Sequence, residues 1–281
     1  MARFWAKIEG QYFYMLEKLI EIDDIDSPET KIFSHLDDRV FKDNNYICCD
    51  GQKLTLRLLQ SPYQCHSILA VRSFYEENKE LIQEKAGNAR LYCAPKKIVE
   101  SIVGYRLHKG VIAVGERPSF STLSELDDRI LILNDVQNSE NVGAIVRSAH
   151  AFGIRSIIVD VTGCSPFVRR SARVSMGSIF KMKVHQSEDL VATIEGLKSL
   201  GYLVVATGDE HPKTQKLSDV SLPQKGALIV GNEGHGVSEE VINASHLNVR
   251  IETSEDIDSL NAAIAGSLLL YEWNKNILSR Q

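Results

Sequence analysis

Residues 131–153, LILNDVQNSENVGAIVRSAHAFG, constrain the fold most, because they read as a strand, a polar turn and a helix in direct succession. Leu131, Ile132 and Leu133 form an apolar run of buried-strand type, and the turn-forming residues from Asn134 to Glu140 cannot continue it. Asn141 stands where a helix N-cap belongs. Val142, Ile145, Val146, Ala149 and Phe152 then recur at helical spacing, and Gly153 supplies the left-handed residue that ends such a helix. A helix starting at a strand's C-terminal end fits an open α/β sheet, where free N–H groups and the helix dipole favour anionic ligands. Arg147 lies about one and two-thirds turns past Asn141, so the two share a rim only if the helix start lines a cleft. A capping Asn and a solvated Arg explain the same residues without a ligand.

The rest of the chain fits the same class. From Tyr46 to Glu116 strand-like and helix-like segments alternate (YICC, KLTLRLLQ, HSILAV, SFYEENKELIQEKA, RLYCA, PKKIVESIVG, GVIAVGE), which reads as a small α/β domain. Its basic residues Lys53, Arg57, Lys96, Lys97, Arg106, His108 and Lys109 are candidates for a phosphate-facing surface, or for an ordinary solvated face. Residues 117–129, RPSFSTLSELDDR, lack a sustained apolar period and read as a linker. Residues 130–281 form a second domain, with a mostly parallel sheet and helices on both faces. Ahead of both, residues 1–45 comprise an amphipathic helix over 11–22 and an irregular acidic stretch over 23–45.

Composition removes several classes. The formal charge of −5 gives no blanket attraction to nucleic acid, so contact with RNA must come from local basic patches. The five cysteines form no CxxC pair and the eight histidines show no ligand spacing with them, which argues against a metal and a disulfide framework and for a reducing, cytoplasmic setting. No apolar span reaches membrane length, and the first ten residues lack the apolar core of a signal peptide.

Three further segments carry chemistry. Gly226 to Gly236, GALIVGNEGHG, is an apolar strand entering a glycine-rich loop, where backbone can come close to a ligand. Its glycine order is not the dinucleotide fingerprint, and no P-loop Lys follows. Glu233 in it reads as a carboxylate that closes the loop onto backbone N–H groups. Ile251 to Tyr271, IETSEDIDSLNAAIAGSLLLY, holds Ser259 as a helix N-cap, small residues Ala262, Ala263, Ala265 and Gly266 that allow close approach, and an apolar stripe of Leu260, Ile264, Leu268 and Tyr271. That stripe suits core packing or a subunit contact. Between these and the first stretch, Arg169, Arg170 and Arg173 share a helical side, as a surface tracking phosphates, or a solvated face, would have them.

NVGAIVR, LIVGNEGHG and DSLNAAIAGSLLLYE, in that order, resemble the three motifs of the SpoU (TrmH-type) RNA 2′-O-ribose methyltransferases. CSPFVRRSARVSMGSIF resembles one TrmH-type subgroup, and YICCDGQKLTLRLLQSP with HKGVIAVGE is similar to the RNA-binding domain that often precedes the catalytic one. The resemblance implies an α/β fold with a C-terminal trefoil-knotted domain, S-adenosylmethionine as cofactor, a homodimer joined through the C-terminal helix, and methyl transfer to a ribose 2′-hydroxyl of tRNA or rRNA. Carried over by position, Thr207, Gly231, Asn232, Glu233, Gly234, Ile251, Ser259, Leu260 and Asn261 surround the cofactor. Arg147 takes the catalytic position, with Asn141, Glu233, Ser259 and Asn261 orienting ribose, loop and cofactor. Arginine is a poor base, so Arg147 is expected to grip the neighbouring phosphate and stabilise developing alkoxide charge, with no metal required.

The chain departs from that pattern in three places. Ile251-Glu252-Thr253 replaces the usual Ile-Pro-Met and sets a charge beside the expected cofactor wall; Asn134 and Asn138 stand where Asp is usual; and Asn261 is followed by Ala-Ala-Ile-Ala. These departures motivate one rival reading, a non-catalytic RNA-binding protein retaining the fold. The other, a nucleotide-dependent oxidoreductase, conflicts with the missing fingerprint.

Overall fold

The computed structural model describes residues 18–34, 38–107, 109–208, 211–212, 214–254, 256 and 259–278. It divides into two units, Met1–Pro118 and Ser119–Gln281.

In the first unit, strands β1 (Leu19–Glu21), β2 (Tyr46–Asp50), β3 (Cys65–Ala70), β4 (Arg90–Cys93) and β5 (Val111–Glu116) form one sheet in the order β1-β4-β3-β5-β2. β5 runs antiparallel to both β3 and β2, and the remaining pairs are parallel. Helices α1 (Lys31–Ser34), α2 (Asp38–Asp43), α3 (Gln52–Leu59), α4 (Arg72–Glu77), α5 (Lys79–Lys85) and α6 (Lys96–Val103) accompany it.

Two expectations change here. Of the helix expected over 11–22, residues 11–17 lie outside the described residues, and Leu19–Glu21 is instead an edge strand registered on Leu91–Cys93. Backbone pairing to an open sheet edge overrides a helical apolar period carried by so few residues. The stretch expected to be irregular contains α1 and α2, anchored by the buried Phe33 and Phe41. Two aromatic side chains bury enough apolar surface to fix short helices that show no period.

The second unit has a sheet of seven strands, parallel throughout: β6 (Arg129–Leu133), β7 (Ser156–Asp160), β8 (Lys183–Ser187), β9 (Leu203–Thr207), β10 (Thr214–Lys216), β11 (Gly226–Val230) and β12 (Leu247–Arg250), in the order β10-β12-β9-β11-β6-β7-β8. Helices α7 (Ser139–Ala151), α8 (Arg169–Val174), α9 (Leu190–Ser199), α10 (Glu239–Ala244) and α11 (Ala262–Leu278) complete it. The central strands are buried on both faces, which explains their near-continuous Ile, Leu and Val. One face packs Ile130, Ile132, Ile158, Val204 and Ile229 with Ile194 and Leu197 of α9 and Val241 of α10. On α7, Val142, Ile145, Val146 and Ala149 are buried, and on α11 so are Leu269, Leu270 and Trp273.

Residues 119–129, expected as linker, belong to this unit. Phe120 bridges to Val184 of β8, and Thr122 and Glu125 close a capping box over a short 3-10 turn at Leu123–Glu125. The Ser, Thr and Asp side chains that make this stretch look like a linker are the groups that build its turn.

Strand order turns at β6. The chain builds β6, β7 and β8 outward to one side, then crosses back to place β9, β11 and β12 on the other. Ligands in open parallel sheets bind outside the strand C-termini at such a reversal.

Candidate active site

Helix α7 begins three residues earlier than expected. Asn138, not Asn141, is its N-cap: Asn138 Oδ1 accepts from the backbone N–H of Glu140 at 2.8 Å and of Asn141 at 3.3 Å. Asn141 is therefore inside the first turn and nearly buried, with its side-chain amide free for other partners. The C-terminal helix shows the same kind of shift. Ser259 does not cap it; Asn261 does, accepting from the N–H groups of Ala263 (2.9 Å) and Ile264 (3.3 Å).

These two amides and one carboxylate join the three motifs. Asn261 Nδ2 donates to Asn141 Oδ1 at 3.1 Å, and Asn141 Nδ2 donates to Glu233 Oε1 at 2.8 Å. Glu233 also accepts from the backbone N–H of Asn138 (3.0 Å) and of Gln137 (3.1 Å). Chemistry fixes the direction of the chain. Asn261 Oδ1 is committed to the helix cap and an ionised Glu233 only accepts, so each amide has one orientation that satisfies both ends. Burial pushes the Glu233 carboxyl up, but the hydrogen bonds from Asn141 and from the backbone of Gln137 and Asn138 outweigh it and hold it below the usual range. Glu233 thus fastens its own loop to the start of α7, a longer reach than the local closure its sequence suggested.

A depressed carboxylate contributes its stabilisation above its unfolded-state value, near pH 4.3, and loses it as pH falls through the lower folded-state value. Acidification below about pH 4 is expected to free the 231–236 loop ahead of global unfolding, read as earlier amide exchange at Gly234 and His235 than in the core of β11.

A cleft of about 490 Å³ opens at the C-terminal ends of β9, β11 and β12. Its lining includes eight of the nine expected cofactor residues: Thr207, Gly231, Asn232, Glu233, Gly234, Ile251, Ser259 and Leu260. The ninth, Asn261, lies outside that lining and acts through its cap and its bond to Asn141. Thr207 is also a staple between strands, its hydroxyl donating to Ile229 O at 2.8 Å. Val230, Val237, Val249 and Thr253 line the cleft as well and were missed in the sequence. Thr253 follows the end of β12 at Arg250, where no strand period remains to mark it.

The charge at Glu252 is met outside the cleft. Its carboxylate turns outward, accepting from Ser218 Oγ at 2.6 Å and pairing with Lys216 Nζ at 2.9 Å, and it is absent from the cleft lining. The hydrogen bonds from Ser218 and Lys216 hold it below the usual carboxylate range. Asn134 has a local reason too. It donates to Asp160 Oδ2 (3.0 Å) and accepts from Ser238 N (3.0 Å), and an aspartate there could not donate to Asp160.

Two motif glycines, Gly231 and Gly143, serve packing of the protein on itself. A Cβ on Gly231 would lie 2.2 Å from Gly236 C and from Val237 N, because the 231–236 loop folds back through paired bonds between Asn232 and Gly236. The close approach expected for a ligand at Gly231 is made by its own loop. Gly231→Ala is therefore expected to cost about 3 kcal/mol, the upper end for overpacking against backbone, seen as a lowered denaturation midpoint. A Cβ on Gly143 would likewise lie 2.6 Å from Ser171 O, which shows how tightly α8 seats on α7.

Arg147, one turn beyond Gly143, is exposed and makes no hydrogen bond or ion pair among the described residues. The structure does not bring it into contact with the Asn141–Glu233 chain. Glu140, Gly143 and Arg147 mark the side of α7 toward α8, whereas Asn141, Ile145 and Ser148 mark the side toward α11, where Ser148 and Ser267 share a bond of 2.8 Å. On α8, Arg170 and Arg173 are exposed, Arg169 is half-buried, and Arg170 is paired with Glu140. The three arginines do not form one uniformly open surface.

Comparison with known proteins agrees with this geometry. The model of the SpoU rRNA methylase family matches residues 128–271. An uncharacterized tRNA/rRNA methyltransferase of Mycobacterium bovis is 30% identical over 234 residues, 80% of each chain. A putative TrmH family tRNA/rRNA methyltransferase of Staphylococcus saprophyticus is 29% identical over 225 residues, 72% of this chain and 90% of that one. Among solved structures, the AdoMet-bound rRNA methyltransferase of Sinorhizobium meliloti shares the fold with a TM-score of 0.81 at 21% identity, covering 92% of this chain and 99% of that one. With its three motifs joined by one hydrogen-bonded chain at the expected strand ends, the protein belongs to the SpoU rRNA methylase family.

Proposed function

We propose that the protein is an RNA methyltransferase that binds S-adenosylmethionine in the cleft at the ends of β9, β11 and β12 and methylates a ribose 2′-hydroxyl of tRNA or rRNA. The observation that carries this reading is the Asn261–Asn141–Glu233 chain, which ties the cleft-lining segments of the second and third motifs to the first motif. The cleft suits the cofactor: its volume lies in the range of small-molecule sites, with Val230, Leu260, Ala262 and Leu269 for an apolar ring and Asn232, Ser259 and loop backbone for polar groups. When bound, the cofactor supplies a methyl group on a sulfonium.

The remaining work falls to the protein. As the new oxygen–methyl bond forms and the sulfur–methyl bond breaks, the hydroxyl proton must leave, to the adjacent phosphate or to solvent. Arg147, exposed and without a hydrogen bond or ion pair among the described residues, holds that phosphate and stabilises charge developing on the ribose oxygen. Asn141 and Glu233 keep the loop and the start of α7 at fixed spacing. Ser259 and Asn261 orient the motif at the start of α11. The outward turn of Glu252 favours a working cofactor site over an RNA-binding protein without one.

The C-terminal part is threaded as a trefoil knot, as the strand order and the likeness of fold support. Two copies associate through α11, where Ile264, Leu268 and Tyr271 form an exposed stripe at helical spacing. The first unit holds RNA through basic residues that include Lys53, Lys96, Lys97 and Lys109, and the enzyme works in the cytoplasm.

Incubating cellular RNA with protein and methyl-labelled S-adenosylmethionine, followed by nucleoside analysis, tests the reading. Label in 2′-O-methylnucleosides supports it, and label confined to bases overturns the ribose assignment. RNA affinity is expected to fall steeply with salt. The double change Arg170→Ala with Arg173→Ala should flatten that slope by about 0.7 for each phosphate the protein no longer neutralises, and an unchanged slope removes α8 from the RNA surface.

A further inference from the structure

Asp135, in the turn between β6 and α7, has a φ of 55°. This left-handed region is uncommon for a residue with a side chain, although Asp and Asn tolerate it best. Its carboxylate is fully engaged. Oδ1 accepts from Gln137 Nε2 at 2.5 Å, while Oδ2 accepts from Asn232 Nδ2 at 3.2 Å and lies 3.3 Å from His235 Nε2. The Asp135 carbonyl accepts from Asn232 Nδ2 as well, at 2.8 Å. Asn232 in turn orders the loop from inside, its Oδ1 accepting from Gly234 N and His235 N at 2.7 and 3.3 Å. Two carboxylates thus fasten the loop from opposite directions: Glu233 reaches from loop to turn, and Asp135 reaches from turn to loop.

We propose that Asp135 is a positioning residue for the cleft loop, acting through Asn232 and His235. The inference rests on the reading of the cleft as an S-adenosyl site. His235 lines that cleft between Gly234 and Gly236, and its side chain is 62% exposed. The turn itself is held from the other side by Asp160 at the end of β7, whose Oδ2 accepts from Asp135 N at 2.7 Å.

The test is calorimetric titration of S-adenosylhomocysteine into wild type and Asp135→Gly, beside the melting temperature of each. Glycine is at ease in the left-handed region. Asp135→Gly should therefore keep or raise the melting temperature while weakening ligand binding about tenfold. A residue with only a structural role would lower both together. Wild-type affinity in folded Asp135→Gly, or parallel loss of melting temperature and affinity, overturns the inference and leaves the cleft reading standing. No binding by wild type overturns the cleft reading, and the inference falls with it.

Discussion

Replacing Asn141 with leucine is expected to lower stability by about 2 kcal/mol and to weaken S-adenosylhomocysteine binding at least about tenfold. The side chain is nearly buried and lies between two partners whose roles are fixed: Asn261 Nδ2 needs an acceptor and Glu233 Oε1 needs a donor. Leucine supplies neither at similar volume, so a partly buried carboxylate loses one of its three donors. The loop and the start of α11 then lose their common tether to α7. Asn141→Asp separates the cause from simple packing. A second carboxylate beside Glu233 raises the pKa of the pair, so this variant should bind poorly near neutral pH and recover on mild acidification, whereas Asn141→Leu should not. Equal and pH-independent losses in the two variants would show that shape, not the hydrogen-bonded chain, matters at this position.

Arg147→Ala is expected to reduce methyl transfer about 100- to 1000-fold, the scale for removing one group that stabilises transition-state charge. Affinity for S-adenosylhomocysteine and thermal stability should stay within experimental error of wild type. The separation follows from the structure, since Arg147 is exposed and makes no hydrogen bond or ion pair among the described residues. Nothing in the fold or the cleft depends on it. Single-turnover rates alongside calorimetry decide the matter. A loss of ligand affinity comparable to the loss of rate would place Arg147 in cofactor binding and remove it from its proposed role. Arg147→Lys should rescue little, because a point charge does not reproduce the planar fork that holds a phosphate.

What the sequence discloses and what it withholds follow from the range of the interactions. The strand-turn-helix at 131–153 was legible because both periods are written in consecutive residues, and the order of motifs gave the cleft wall. The caps were not. Asn134, Asn138 and Asn141 are all cap-competent, and tertiary demand for the Asn141 amide leaves the cap to Asn138. Ser259 and Asn261 repeat the case at the other helix. Glycine announced close approach at Gly231, but not to what; the neighbour there is the protein's own backbone. Edge strand β1 was hidden because three residues carry no period, and its pairing partner lies about seventy residues away. Asp135 had no local signature at all. Its partners Asn232 and His235 come from a loop nearly a hundred positions later, brought close only when β11 inserts beside β6.

Calorimetric titration of wild type with S-adenosylhomocysteine, beside the cleft-filling variant Thr253→Trp, asks whether the cleft holds an S-adenosyl ligand against a wall tied by Asn141 and Glu233. Thr253 is exposed in the cleft wall, so the indole should occupy the space without disturbing the core. Wild type is expected to bind one ligand per chain saturably, and the variant none, with an unchanged melting temperature. Folded wild-type protein that binds neither S-adenosylhomocysteine nor S-adenosylmethionine, or a Thr253→Trp variant that binds as well as wild type, would contradict an S-adenosyl site in the cleft.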